Sequence, residues 1–278
     1  MFPHFEKITL MKNTETTTSD SAGNNAVLYA VTPKPKLSTD GTALDGVSGL
    51  RGSGIGATSK DRLLELFSGS KSVSTVAHHL GMRSLSVDKF IESDLQIGIE
   101  ELSKETILEM IGEPTIIWAS PVCSAWSKTG WFHYWDTDFY RQTKRFKPKK
   151  QGATDSIEMV RKTIEIFSWF PDATFFMENP EGMLYKHPVI NTFLKYGLNV
   201  DRKRITYCRY GDLIRKPTHI WTNSTNWKPR PICQNGDHCH VSSPRCTQNG
   251  IYQKKDSFTR SMIPSELCFE ILQSCINK

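Results

Sequence analysis

The sequence predicts an α/β fold built on a mainly parallel sheet. Two observations carry that prediction. From residue 61 onward, over about 120 residues, short apolar runs alternate with stretches of helical periodicity, which is the pattern of strand–helix–strand units covered on both faces. Gly69, Asp88, Cys123 and Glu178 each fall at the carboxyl end of one of those runs, where open α/β sheets gather their ligands.

The elements follow in order. Residues 62–67 form an apolar run that ends in Ser68-Gly69-Ser70, a strand entering a tight turn. Residues 73–80 have helical spacing and are closed by Gly81; residues 84–87 read as a second strand ending at Asp88. A helix over roughly 101–111 precedes a strand over 115–119, which runs into Ser120-Pro121-Val122-Cys123. The strongest helical pattern spans 156–167, with Ile157, Val160, Ile164 and Phe167 on one face and Ser156 as its expected cap. Strands are expected at 174–177, ending in Glu178-Asn179-Pro180, and at 205–208 after the basic run 202–204.

Before residue 61 the chain changes character. Residues 1–60 are rich in Thr, Ser, Gly and Asn and read as a flexible arm, with 27–31 a short apolar piece able to dock as an edge strand. The full chain of 278 residues carries 38% hydrophobic and 23% charged residues and a formal charge of +6, which suits one substantial domain and permits nucleic acid without requiring it. The first ten residues lack the apolar core of a signal peptide, and no run approaches the roughly eighteen apolar residues of a membrane span. Seven scattered cysteines suggest reduced thiols in a cytoplasmic setting, and the chain reads as a monomer.

Three segments carry chemistry. Leu66-Phe67-Ser68-Gly69 sits at a strand-to-helix turn, where Gly69 permits close backbone approach and a helix N-terminus offers amides to an anion. Asp88, one strand later, suits ribose hydroxyls. With a single glycine, the same turn also reads as an ordinary strand–helix connection. Cys123, in a turn beyond a strand, gains from amides that favour thiolate. A lone cysteine is otherwise inert packing, but Glu178 after a buried-looking strand is a carboxylate placed where burial is costly without a task. Such a pair can perform covalent attack with proton transfer.

Together these residues resemble the cytosine carbon-5 DNA methyltransferase family. Leu66-Phe67-Ser68-Gly69 is similar to its cofactor motif, Ala119-Ser120-Pro121-Val122-Cys123 to its nucleophile loop, and Met177-Glu178-Asn179-Pro180 to its Glu-Asn motif. Small phage-type members also resemble the chain at Thr206-Tyr207-Cys208-Arg209-Tyr210-Gly211-Asp212, at Lys216-Pro217-Thr218-His219-Ile220-Trp221-Thr222-Asn223, at Asn235-Gly236-Asp237-His238-Cys239-His240, and at Arg260-Ser261-Met262-Ile263-Pro264. The resemblance covers the chain from about residue 62 to the C-terminus.

The resemblance implies a Rossmann-like domain over 61–278 that uses S-adenosylmethionine, with a small recognition insert at about 224–258. It implies methyl transfer to cytosine carbon 5 in double-stranded DNA, in a restriction-modification or phage setting. Cys123 would attack carbon 6 of a flipped cytosine and Glu178 would hold and protonate ring nitrogen 3. Arg215, with Lys216, would steady the base and nearby phosphates. Phe67, Ser68, Gly69 and Asp88 would line the cofactor pocket, with Ser261 closing it.

The chain departs from the family pattern at Val122, in place of a second proline, at Lys71 and Gly98 in the cofactor region, and at Ile214 and Thr218 around Arg215. An RNA cytosine-5 methyltransferase and a catalytically silent DNA-binding relative therefore stay open as alternatives. Trp126, Trp131, His133, Tyr134 and Trp135, followed by the six Lys and Arg residues of 141–150, read equally as a DNA-facing surface and as an ordinary surface loop. Cys233, Cys239, His240 and Cys246 are spaced C-x5-C-H-x5-C, which is not a standard zinc pattern. Loop thiols are the expectation there, no metal is assigned, and zinc is the alternative.

Overall fold

A computed structural model describes residues 60–234, 236–241 and 256–276. The expected N-terminal arm up to residue 59, with the apolar piece 27–31, lies outside the described residues, as does Cys246 in the second half of the expected insert.

The expected α/β architecture is present. Strands β1 (Arg62–Leu66), β2 (Arg83–Val87), β3 (Ile116–Ala119), β4 (Thr174–Pro180), β5 (Asp201–Thr206) and β6 (Pro217–Thr222) form one sheet in the order β2-β1-β3-β4-β6-β5. The pairs β1–β2, β1–β3 and β3–β4 are parallel, whereas β6 runs antiparallel to both β4 and β5. The helices are α1 (Ser72–His79), α2 (Lys104–Ile111), α3 (Trp131–Tyr134), α4 (Thr137–Thr143), α5 (Gln151–Ser168), α6 (Thr192–Lys195), α7 (Ser257–Ser261) and α8 (Ser265–Ile276).

The central strands are near-continuous apolar runs because both faces of the sheet are covered. Side chains alternate across the pleat. Leu64, Ile117 and Phe175 pack with Val160, Ile164 and Phe167 of α5, while Leu63, Ile116 and Phe176 pack with Val73 and Ala77 of α1 and Leu267 and Ile271 of α8. At about 25 cal/mol per Å2 of apolar surface, filling both faces drives the sheet together.

Three sequence expectations need correction. Helix α5 begins five residues before Ser156, which is buried within it and donates to the Ala153 carbonyl at 2.8 Å, because apolar contacts of Ala153 extend the helix over its polar start. The helix expected at 101–111 starts at Lys104, with Ser103 accepting from the Thr106 amide at 3.1 Å. Strand β5 stops at Thr206, and Tyr207–Tyr210 tighten into a 3-10 turn closed by Gly211 at φ 84°.

Candidate active site

The chain places β2 on one side of β1 and then crosses to set β3 on the other side, the switch in strand order beyond whose carboxyl ends open α/β sheets bind their ligands. The register sets a row there: Leu66 is paired with Val87 and Ala119, and Ala119 with Met177. The residues one step on, Phe67, Asp88, Ser120 and Glu178, therefore share one level of the sheet.

The first loop is tightly wound. Phe67, Gly69 and Lys71 have φ of 56°, 47° and 54°, left-handed conformations that cost a non-glycine residue about 1–2 kcal/mol. Hydrogen bonds hold it: the Ser68 amide to the Val87 carbonyl at 3.0 Å, the Lys71 amide to the Ser68 carbonyl at 2.7 Å, and the Gly69 amide to Asp88 Oδ2 at 2.9 Å. Asp88 Oδ1 accepts from the Phe90 and Ile91 amides, each at 2.9 Å, leaving the Phe90 ring 76% exposed. The Ser68 hydroxyl oxygen is buried and finds no partner among the described residues.

The expectation of free amides at the start of α1 is not met. Glu65 of β1 is 2% exposed, and its carboxylate accepts from the Val73 amide at 3.2 Å and the Ser74 amide at 2.8 Å. Burial pushes its pKa up, against the stabilising pull of those donors. A carboxyl group therefore occupies the anion-seeking end of the helix, and a phosphate is disfavoured there. The sequence signal was an acid in the middle of an apolar strand.

The second loop carries Cys123. Its carbonyl accepts from the Trp126 and Ser127 amides at 3.0 and 2.9 Å, which curls 123–127 into a turn. The buried Asn179 donates Nδ2 to the Pro121 carbonyl at 2.9 Å, so the residue after Glu178 holds the loop that carries the thiol. Two glycines permit the close packing: a Cβ at Gly130 would lie 1.8 Å from the Ser124 carbonyl oxygen, and one at Gly182 would lie 2.0 Å from the Trp126 carbonyl oxygen. Val122 itself is 45% exposed.

Cys123 is half-buried. Burial, and next the negative charge of Glu178, push its thiol pKa up, while Lys216 and Arg260 pull it down. This reverses the expectation that local amides would favour thiolate. Glu178 itself is 5% exposed. Its Oε1 accepts from the Tyr207 hydroxyl at 2.8 Å and lies 3.8 Å from Lys216 Nζ. Tyr207 is fully buried, and burial followed by the Glu178 charge raises its pKa well above the ordinary phenol value, so the hydroxyl stays a donor. Lys216 Nζ sits 4.6 Å from the Tyr207 ring centroid and donates to the Arg260 carbonyl at 3.1 Å.

Strand direction explains this grouping. Because β6 is antiparallel, its first residue Pro217 pairs with Thr206 at the end of β5, and Thr218 with Pro180 at the end of β4. Glu178, Tyr207 and Lys216 thereby converge on one edge. Tyr207 was quoted in the sequence only as part of a motif, with no role assigned.

Two expected residues stand elsewhere. Arg215 donates Nη2 to the Cys233 carbonyl at 3.2 Å, and it is Lys216 that lies beside Glu178. Ser261, at the end of α7, is exposed and donates to the Phe258 carbonyl at 2.6 Å; two residues on, the Ile263 amide donates to Ser72 Oγ at 3.2 Å, tying this segment to the start of α1.

The aromatic run resolves largely into packing. Trp126 and Trp135 are buried with ring centroids 5.2 Å apart, and both lie against His187, whose pKa burial lowers to about 4. Their surface is spent inside the protein, whereas Phe132 is 51% exposed and the basic residues of 141–150 are exposed throughout.

No family model matches the chain. A curated protein of Frog virus 3 (isolate Goorha), "Probable DNA (cytosine-5)-methyltransferase", is 27% identical over 181 residues, 64% of this chain and 77% of that protein. Among solved structures, the chain is similar to the Entamoeba histolytica methyltransferase EhMeth, with 12% identity, a TM-score of 0.41, and coverage of 59% of this chain and 53% of that one. It is also similar to a mutant of Spodoptera frugiperda DNMT2, with 19% identity, a TM-score of 0.40, and coverage of 66% and 57%. The chain thus spans a little over half the length of those two structures. No helix among the described residues is long and apolar enough to cross a membrane.

Proposed function

We propose that the protein transfers a methyl group from S-adenosylmethionine to carbon 5 of cytosine in double-stranded DNA, with Cys123 as nucleophile and Glu178 as the acid that engages the base. The observation that supports the reading is that Asn179, next in sequence to the buried Glu178, donates to the Pro121 carbonyl of the loop that carries Cys123.

The residues fit the cofactor. Ser68 offers a buried hydroxyl without a partner among the described residues to a polar group, Asp88 follows β2 at the level of Phe67, and the exposed Phe90 ring offers a flat face to an aromatic base. Glu65 at the start of α1 selects against phosphate, which suits a nucleoside that carries none. When bound, S-adenosylmethionine supplies an electrophilic methyl group on a sulfonium.

The protein's own residues manage the protons. Glu178, taking up a proton, donates it to cytosine nitrogen 3 as the Cys123 sulfur, having released its own, bonds to carbon 6. Carbon 5 is left electron-rich. After methylation a water takes the carbon-5 proton, the electrons of that C–H bond restore the ring double bond as the sulfur–carbon pair leaves with the thiolate, and nitrogen 3 returns its proton to Glu178. Protonating Glu178 removes the charge that opposes Cys123 ionisation, so engagement of the base and activation of the nucleophile reinforce each other. The Tyr207 hydroxyl and Lys216 hold Oε1 in place. The cytosine leaves the duplex to reach this edge, and the exposed basic residues of 141–150 neutralise phosphates.

The experiment is methyl incorporation from labelled S-adenosylmethionine into duplex DNA and into tRNA, followed by bisulfite sequencing. The reading expects transfer to cytosine in the duplex and none by the Cys123→Ala protein. Transfer confined to tRNA would move the substrate to RNA; cofactor binding without transfer to either would indicate a silent relative.

A further inference from the structure

Beyond the methyl-transfer site, the structure gathers three thiols and an imidazole that the sequence spacing did not group. Cys208, in the 3-10 turn after β5, meets Cys233, Cys239 and His240, with all four donor atoms within 4.8 Å of one another. The sequence had set Cys246 in this group and left Cys208 out. Cys208 and Cys233 are 4% and 1% exposed.

The spacing of the donors is informative. Cys239 Sγ lies 3.6 Å from Cys208 Sγ and 3.5 Å from Cys233 Sγ, and His240 Nδ1 lies 3.5 Å and 3.8 Å from the sulfurs of Cys233 and Cys239. Bond lengths of about 2.3 Å to sulfur and about 2.0 Å to nitrogen require tetrahedron edges of roughly 3.5–3.8 Å. A disulfide requires about 2.05 Å between sulfurs, and these cysteines are free.

The surroundings also fit. Three thiolates and a neutral imidazole around a divalent ion leave one negative charge. Arg215 lies alongside, donating to the Cys233 carbonyl at 3.2 Å, and Arg209, in the same turn as Cys208, pairs with Asp237 at 2.6 Å. The Cys233 amide donates to Thr206 Oγ1 at 2.9 Å, so the donor-bearing segment is already seated against the end of β5.

We propose that Cys208, Cys233, Cys239 and His240 form a structural zinc site. Four protein donors close the coordination sphere, which makes the site architectural rather than catalytic. The ion fastens Cys233, Cys239 and His240 to the turn that begins with Tyr207, the residue that holds Glu178. The site stands on its own geometry and does not depend on the proposed reaction.

The test uses the full chain purified without added metal. Elemental analysis is expected to find about one zinc per chain, falling at least about fivefold in Cys208→Ser and Cys239→Ser. Cys123→Ser and Cys246→Ser are expected to keep the metal. His240→Cys is expected to retain zinc where His240→Ala loses it, which separates ligation from misfolding. Cobalt(II) in place of zinc is expected to give the intense visible bands of a tetrahedral thiolate site. A metal-free wild type with a Cys239 disulfide, zinc retained by both serine variants at Cys208 and Cys239, or loss in Cys246→Ser with retention in Cys208→Ser, would each overturn the assignment.

Discussion

Asn179 and Pro121 are joined by a 2.9 Å hydrogen bond from a fully buried amide to a loop carbonyl, across 58 residues of sequence. That bond couples the end of β4, where Glu178 stands, to the loop that carries Cys123. Asn179→Ala is expected to lower kcat roughly a hundredfold, the order of loss that about 1 Å of misplacement brings, with a smaller change in KM for DNA. Because unfolding alone would also lower the apparent kcat, the folded fraction is read by circular dichroism and denaturant titration, and a loss of kcat that follows a loss of folded protein would remove the positioning role.

The proposed adduct predicts a trap. Duplex DNA with 5-fluorocytosine at the target has no carbon-5 proton to lose, so the sulfur–carbon bond persists. A denaturation-stable complex is expected with the wild type and is expected to vanish with Cys123→Ser. A complex that survives the substitution would remove Cys123 from the chemistry.

Two neighbouring charges of opposite sign act on the Cys123 thiol. Burial and the Glu178 charge both raise the Cys123 pKa, whereas Lys216 lowers it. Alkylation of the Cys123-bearing peptide by iodoacetamide, followed by mass spectrometry, is therefore expected to rise at a higher pH than for an ordinary thiol. Glu178→Gln removes one raising cause and shifts the profile to lower pH; Lys216→Met removes a lowering cause and shifts it upward. Coincident profiles for all three proteins would show that the two side chains do not act on the sulfur.

Gly182→Ala places a methyl group 2.0 Å from the Trp126 carbonyl oxygen, so backbone must move. A stability loss of about 1–3 kcal/mol is expected in denaturant titration, with a disproportionate loss of activity because the strain enters the nucleophile turn. Gly197→Ala is a contrasting control: its φ of 67° makes it strained, but the added carbon meets nothing within 4 Å.

Glu65 predicts a pH effect on folding. Its pKa is raised in the folded state, so its protonated form is favoured there and stability declines as pH climbs through the window just above the ordinary carboxylate range. Glu65→Gln keeps an acceptor for the α1 amides without a charge to bury. Its stability is expected to be flatter across that window, as read by thermal unfolding at a series of pH values.

The sheet was legible because the buried strands are apolar on both faces and each ends in a residue unlike those before it: Gly69, Asp88, Cys123 and Glu178 all emerge near the carboxyl edge. What the sequence hid depends on direction and distance. Nothing in the run around Lys216 announces that its strand is antiparallel, and only that orientation sets Lys216 rather than Arg215 beside Glu178. Cys208 lies 25 residues before Cys233, so a reading by local spacing could not join them. The tryptophans after Cys123 looked available for DNA, yet packing claimed Trp126 and Trp135, because large rings are driven into the core wherever a partner such as His187 is at hand.

The junction of β5 and β6 has a consequence for how such a protein diversifies. Tyr207 and Lys216 flank the closing pair Thr206–Pro217 and are themselves linked by a 3.1 Å bond from the Tyr207 amide to the Lys216 carbonyl. They form a clasp prefabricated within one hairpin, and the residues between them never cross the sheet. The acid's holders are therefore built within one hairpin, and what the chain downstream of β6 adds to them is a single backbone carbonyl, that of Arg260 on Lys216, which any residue type at that position supplies.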